Sequence, residues 1–155
     1  MTDKPYFPLF LDLREKDILF VGGGSIASRR IGALEPFAER ITIVAPEAEG
    51  EILELTEAGE VSWIMREFEA EDIEGRDMVF AATDDKELNA RIAELCNRKG
   101  IPVNVSSDKE LCDFYFPGIV RQGETVIGIS ASGQDHRKAR RVRERIQEIL
   151  TEEGI

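Results

Sequence analysis

The residues best suited to chemistry lie where an apolar run, Ile18 to Val21, enters Gly22-Gly23-Gly24-Ser25-Ile26-Ala27. In this Gly-x-Gly-x-x-Ala pattern Gly22 permits a tight turn, Gly24 lets an anionic group approach the backbone, and Ala27 allows a helix to pack closely on the preceding strand. The helix N-terminus would then aim unpaired N–H groups at the loop, so the chemistry on offer is the binding of a pyrophosphate. Glu47 follows at the spacing of roughly 20 residues at which an acid accepts hydrogen bonds from the ribose hydroxyls of a dinucleotide. Ala45-Pro46-Glu47-Ala48-Glu49 holds no Arg or Lys for a 2′-phosphate, which favours NAD over NADP. A lone glycine loop is also compatible with a structural turn, and Glu47 alone with a solvated carboxylate. Strand, loop, helix and acid together carry the cofactor reading.

Two further segments belong with this loop. Ala81-Ala82-Thr83-Asp84-Asp85 and Asn104 to Asp108 each follow an apolar run, and in a doubly wound sheet the carboxyl ends of the strands open on one crevice. Thr83 is expected beside the nicotinamide ribose, while one of Asp84 and Asp85 is expected to cap the helix that starts at Lys86. No metal site is expected: His136 is the single histidine, and Cys96 and Cys112 have no Cys-x-x-Cys or His partner at ligand spacing. Both cysteines read as reduced, Cys96 as a small buried hydrophobe.

The elements that must position these residues alternate short β-branched runs with amphipathic stretches, which predicts an α/β fold with a Rossmann-like, doubly wound parallel sheet. Strands are expected at Asp17 to Val21, Arg40 to Val44, Val61 to Met65, Met78 to Ala82 and Pro102 to Val105. Helices are expected at Ser25 to Glu35, with Ala27, Ile31 and Leu34 at i, i+4, i+7, and at Lys86 to Arg98, with Leu88, Ile92 and Leu95 at the same spacing. The pattern changes near Asp113-Phe114-Tyr115-Phe116-Pro117, so residues 1–112 read as the dinucleotide-binding domain and residues 113–155 as a small α+β module. That module holds a strand at Thr125 to Ser130 after a turn at Gln122-Gly123, and a helix from Arg137 to Leu150 with Ala139, Val142, Ile146 and Ile149 on one face. A piece of about 45 residues is too small to be stable alone, which predicts packing against a second copy as a homodimer.

Charge narrows the partners. The chain of 155 residues carries 20 Lys and Arg against 31 Asp and Glu, a net −11 that argues against nucleic acid or an anionic membrane. At 42% hydrophobic it can bury a core, yet its apolar runs fall far short of the roughly 20 residues that cross a bilayer. Met1 to Pro8 lacks the charged-then-apolar layout of a secretory signal, so a cytoplasmic protein is expected. Against the acidic background, residues 137–145 hold six basic residues and one acidic. Arg137, Lys138, Arg140 and Arg141 could draw a multi-carboxylate substrate, or form a solvated helix face.

Taken together, Tyr6-Phe7-Pro8-Leu9-Phe10, Val21 to Arg30, Thr42-Ile43-Val44-Ala45-Pro46-Glu47, Ala81 to Asp85 with Leu88-Asn89, Pro102 to Val105, Leu111 to Pro117 and Ile127-Gly128-Ile129-Ser130 resemble the siroheme synthase N-terminal family. Its members are precorrin-2 dehydrogenases, some also sirohydrochlorin ferrochelatases. The likeness spans nearly the whole chain, which looks like the stand-alone form because the methyltransferase domain of the trifunctional enzymes does not fit this length. It implies that NAD+ removes a hydride from precorrin-2 to give sirohydrochlorin, with Fe2+ insertion in members that also chelate, and that the small module interlocks in a homodimer. It also implies that Gly22, Gly24, Ser25 and Ile26 hold the pyrophosphate, Pro46 and Glu47 the adenosine ribose, and that Thr83 and Asp84 border the nicotinamide.

Two departures stand out. Members of the family commonly carry an Asp three residues after the Asn of Val-Asn-Val, as a general base; here Ser107 stands there and Asp108 follows, so Asp108 is expected to substitute. After Ser130 the family's Ser or Thr, paired glycines and Ser-Pro are replaced by Ala131-Ser132-Gly133-Gln134-Asp135-His136. A non-catalytic sensor that binds a dinucleotide or tetrapyrrole, and a chelatase for another metal, remain open beside the dehydrogenase reading.

Overall fold

A computed structural model describes residues 5–132 and 134–154, leaving Gly133 of the divergent segment outside the described residues. They form two compact units. One is Leu11–Phe114; the other joins the residues through Phe10 to those from Tyr115 onward.

The larger unit is a parallel sheet of β1 (Asp17–Val21), β2 (Arg40–Val44), β3 (Ser62–Ile64), β4 (Met78–Ala81) and β5 (Val103–Val105), in the order β3-β2-β1-β4-β5. The chain winds outward from β1 through β2 to β3, then returns to lay β4 on the other side of β1. This is the α/β doubly wound arrangement expected, with its switch point between β1 and β4. β1 and β2 end where the sequence predicted, whereas β3, β4 and β5 are each one or two residues shorter. Ile18, Leu19 and Phe20 are fully buried, because layers cover both faces of the sheet; hence these strands read as continuous apolar runs rather than alternating ones. On one face Phe20 and Phe80, opposite each other in the β1–β4 register, stack with centroids 4.3 Å apart, and Phe114 meets Phe80 edge-on at 5.4 Å. On the other, Leu19, Val21, Val79, Val103 and Val105 pack with Ile92, Ala93 and Cys96.

α1 (Ser25–Leu34) buries Ala27, Ile31 and Leu34 as its spacing predicts, together with Ser28. α3 (Lys86–Lys99) buries Ile92 and Cys96 as expected, with Asn89 and Ala93 beside them, whereas the expected Leu88 and Leu95 are only half-buried at the edge of that face. Burial pushes the Cys96 thiol up to about 11, so it stays protonated at neutral pH. A helix missing from the sequence reading, α2 (Glu51–Glu57), follows Gly50; only Ile52 of its seven residues is buried, too little to print a period.

The smaller unit pairs β6 (Gly118–Gln122) with β7 (Thr125–Ile129) in an antiparallel hairpin, turning at Gly123 where φ is +57°. α4 (His136–Glu153), longer at both ends than predicted, starts at Asp135, whose carboxylate accepts from the Lys138 N–H at 2.8 Å. Gln122 Nε2 donates to the Leu150 carbonyl at 3.2 Å, tying α4 to the hairpin, and Tyr6 stacks on Tyr115 at 4.2 Å. Among this unit's described residues only Val120 is fully buried.

The Phe20–Phe80 stack anchors the central strands, so Phe80→Ala should lower the unfolding free energy by about 3–5 kcal/mol. Urea unfolding followed by Trp63 fluorescence measures this. A loss under about 1 kcal/mol would show that the site collapses around the missing ring.

Candidate functional site

The glycine turn sits at the switch point, clamped from two sides. Gly22, at φ +113°, places the position of a Cβ 2.3 Å from the Ala82 carbonyl oxygen, and Gly23 places its own 2.1 Å from the carbonyl oxygen of Glu47. No side chain fits at either position, because backbone cannot retreat as the end of a flexible side chain can. Hydrogen bonds hold the same contacts: the Gly22 N–H to the Val44 carbonyl at 3.0 Å, the Ala82 N–H to the Val21 carbonyl at 2.8 Å, and the Glu49 N–H to the Gly23 carbonyl at 3.0 Å.

Gly24 differs from both. A Cβ there meets only the Glu49 carboxylate, at 3.8 Å, so the space above it is open. Gly24 is also the N-cap of α1, with no side-chain cap and no acidic residue in the first turn. Exposed Gly24, Ser25 and Ile26 thus present helix N–H groups to an open surface, which fits the pyrophosphate of a dinucleotide.

Beside the turn lies a cavity of about 360 Å³ lined by Ser25, Ser28, Arg29, Glu49, Gly50 and Glu51. Ser28 Oγ accepts from the Glu51 N–H at 2.9 Å and pins the start of α2. Pro46 and Glu47 are exposed and are not among these lining residues; the carboxylates here are those of Glu49 and Glu51. Arg29, on α1, supplies a cation that the segment after β2 does not contain. Neither Glu49 nor Arg29 is singled out by sequence, since their lining one cavity depends on the loop after β2 folding back over Gly23.

Past β4, Asp85 takes the capping role, its Oδ1 accepting from the N–H groups of Glu87 and Leu88 at 2.9 and 3.1 Å, while Asp84 is exposed. Thr83 is joined to Ser107 through Asn89. Asn89 Oδ1 accepts from the Thr83 N–H at 3.2 Å and lies 2.6 Å from Thr83 Oγ1, and its Nδ2 donates to the Thr83 carbonyl at 3.0 Å and to Ser107 Oγ at 3.1 Å. The ends of β1, β4 and β5 therefore converge as expected, through Gly22, Thr83 and Ser107. Asp108 serves the backbone instead, its Oδ1 accepting from the Glu110 N–H at 3.0 Å to cap a 3-10 turn, Lys109–Leu111. Asn89 carried no role in the sequence reading. Its signal was a polar residue at the register of the buried stripe that Ile92, Ala93 and Cys96 continue.

Behind this edge, Arg30 Nη1 donates to Asn104 Oδ1 at 2.7 Å and Asn104 Nδ2 to the Phe114 carbonyl at 2.8 Å. Burial pulls the Arg30 pKa down from its ordinary value and pushes the Cys112 thiol up. In the smaller unit Arg137, Lys138, Arg140 and Arg141 are all exposed on α4, with Arg140 engaged by Glu144 at 2.8 Å. Among the described residues no group of three His, Cys, Asp or Glu is placed to hold a metal ion, and no helix is long and apolar enough to cross a membrane.

Residues 9–118 match the model of a protein family described as "Putative NAD(P)-binding". Curated relatives include the siroheme synthase of Methylococcus capsulatus, 41% identical over 94% of this chain and 31% of that protein, and siroheme synthase 1 of Pectobacterium atrosepticum, 39% identical over 94% and 30%. The chain thus spans about a third of the length of these relatives. The solved structure of SirC, precorrin-2 dehydrogenase, superposes with a TM-score of 0.76 at 26% identity, over 92% of this chain and 70% of that one. With the glycine turn, its open helix N-terminus and the switch point all inside the matched residues, the chain belongs to this NAD(P)-binding family.

Proposed function

We propose that the chain is an NAD+-dependent dehydrogenase of siroheme biosynthesis that oxidises precorrin-2 to sirohydrochlorin. The observation that carries this reading is the open, uncapped turn at Gly24, lying at a switch point whose other edges are Thr83 and Ser107. The names of the relatives supply the substrate class. Gly22, Gly24, Ser25 and Ile26 would hold the pyrophosphate, with Pro46 and Glu47 toward the adenosine ribose and Glu49 in the neighbouring cavity; Thr83 and Asp84 would border the nicotinamide. When bound, NAD+ supplies the acceptor for the hydride. The loss of that hydride also releases a proton. Asp108 Oδ1 is used in the cap, which leaves Oδ2 to accept it.

Oxidation rather than Fe2+ insertion is the proposed reaction. The cofactor turn on which oxidation depends is intact, whereas insertion displaces two pyrrole protons and the position at which the resemblance implies an Asp base holds Ser107, a poor base. The serine also favours a second reading, a sensor that binds a dinucleotide or tetrapyrrole without turnover. The exposed cations Arg137, Lys138 and Arg141 support contact with a polycarboxylate tetrapyrrole. A homodimer is supported by the smaller unit's own surface, where Phe7, Leu9 and Phe10 are 85, 70 and 74% exposed.

Mixing the protein with precorrin-2 and NAD+ should give NADH absorbance, faster with NAD+ than with NADP+. In the same assay Asp108→Asn, which keeps the capping oxygen, should lower kcat at least tenfold; cofactor binding without NADH would establish the sensor instead. Neutralising Arg137, Lys138, Arg140 and Arg141 should raise KM for precorrin-2 severalfold more than for NAD+, and an unchanged KM would return them to a solvated face. In sedimentation velocity the wild type should run at twice the chain mass and a Phe7→Ser, Phe10→Ser variant as a monomer. A wild-type monomer at micromolar concentration would exclude the dimer.

A further inference from the structure

Asn89 is fully buried on a helix face otherwise made of Ile92, Ala93 and Cys96. A buried amide there is costly unless every polar atom is satisfied, and here the four neighbours found match the two acceptor and two donor sites of the group. Its orientation is also determined. The Thr83 N–H requires an acceptor and the Thr83 carbonyl requires a donor, so oxygen and nitrogen cannot exchange places.

Two consequences follow for the hydroxyls at the crevice. Thr83 Oγ1 has a single proton, and its acceptors are Asn89 Oδ1 at 2.6 Å and the Asp85 carbonyl at 3.1 Å, both belonging to the protein. Its lone pairs are also drawn on, by the Asp85 N–H at 3.2 Å. Thr83 therefore has no proton to offer a ligand. Ser107 is in the opposite state: its Oγ accepts from Asn89 Nδ2, none of the described residues takes its own proton, and the residue is exposed.

We propose that Asn89 is a positioning residue that holds Ser107 Oγ as an acceptor on its inner side, so that the Ser107 hydroxyl donates into the crevice to a carboxylate or carboxamide oxygen of a bound ligand. Ser107 thus takes part as a hydrogen-bond donor rather than as a base. The inference rests on reading this crevice as the site of dinucleotide and tetrapyrrole binding. A tetrapyrrole carboxylate and the nicotinamide carboxamide both offer the required oxygen, and the two are separated by titrating sirohydrochlorin, followed by its visible absorbance, and NADH, followed by its fluorescence.

The test is a cycle on the full chain. Ser107→Ala should weaken binding of one of these two compounds at least fivefold, and Ser107→Thr, which restores the hydroxyl, should return it to within about twofold of wild type. Asn89→Leu should weaken the same compound, and should add little when Ser107 is already Ala, because the amide acts through the hydroxyl. A merely structural Asn89 would instead give additive losses. If Asn89→Leu does not fold, Asn89→Gln, which keeps the amide but displaces it, takes its place in the cycle. Should both fail to fold, the Ser107 pair decides, and unchanged binding in Ser107→Ala overturns the proposal. A wild type that binds neither sirohydrochlorin nor NADH overturns the reading of the site itself.

Discussion

Backbone packed against backbone at the glycine turn is the constraint on which the remaining structure depends. With the Ala82 carbonyl on one side of Gly22 and the Glu47 carbonyl on one side of Gly23, the loops after β4 and β2 are held at van der Waals distance from the end of β1. Their positions follow from that of the turn. Three strand ends separated by tens of residues in sequence consequently share one edge, and the opening left at the turn is over Gly24. Tight packing at two glycines and free space at the third is what turns a sheet edge into a place where an anion can rest.

The sheet beneath supplies the rigidity this requires. β1 lies between β2 and β4 with apolar layers on both faces, so its carboxyl end is held from either side. The polar link from Thr83 through Asn89 to Ser107 extends that order from β4 to β5, where the chain has already left the sheet. On the β2 side the corresponding link runs from Ser28 to the start of α2, and the Trp63 indole N–H donates to the Ala45 carbonyl at 2.9 Å. Each loop of the crevice is thus tied to a neighbour by a side chain that serves no ladder.

What could be read from the sequence follows the physics of each element. β1 and β2 were legible to the residue because strands buried on two faces are uninterrupted apolar runs, and the turn because only glycine tolerates its contacts. α2 left no pattern, having one buried residue. On α3 the expected Ile92 and Cys96 are in the core, but an amide occupies another core position, so a reading by apolar spacing passed over Asn89 and centred the face slightly to the side, on the half-buried Leu88 and Leu95. Within the site the residue types pointed to the crevice but could not apportion the roles of neighbours: Asp84 against Asp85, and Ser107 against Asp108, differ by one step in sequence. Which of each pair became a cap was decided by backbone direction. That Arg29 and Glu49 line one cavity is likewise a product of tertiary folding.

The two units differ sharply in how much they bury. Leu11–Phe114 holds almost every fully buried side chain, whereas the hairpin and α4 enclose only Val120 among the described residues. A chain built this way has no single free energy of unfolding. The cooperativity of the sheet belongs to the polypeptide itself and is independent of its concentration. In the dimer proposed for it, the smaller unit's order depends on a second copy, and so follows mass action. In such a dimer dilution and heating act on different parts of the same molecule, and a melting curve recorded at one concentration reports a mixture of the two.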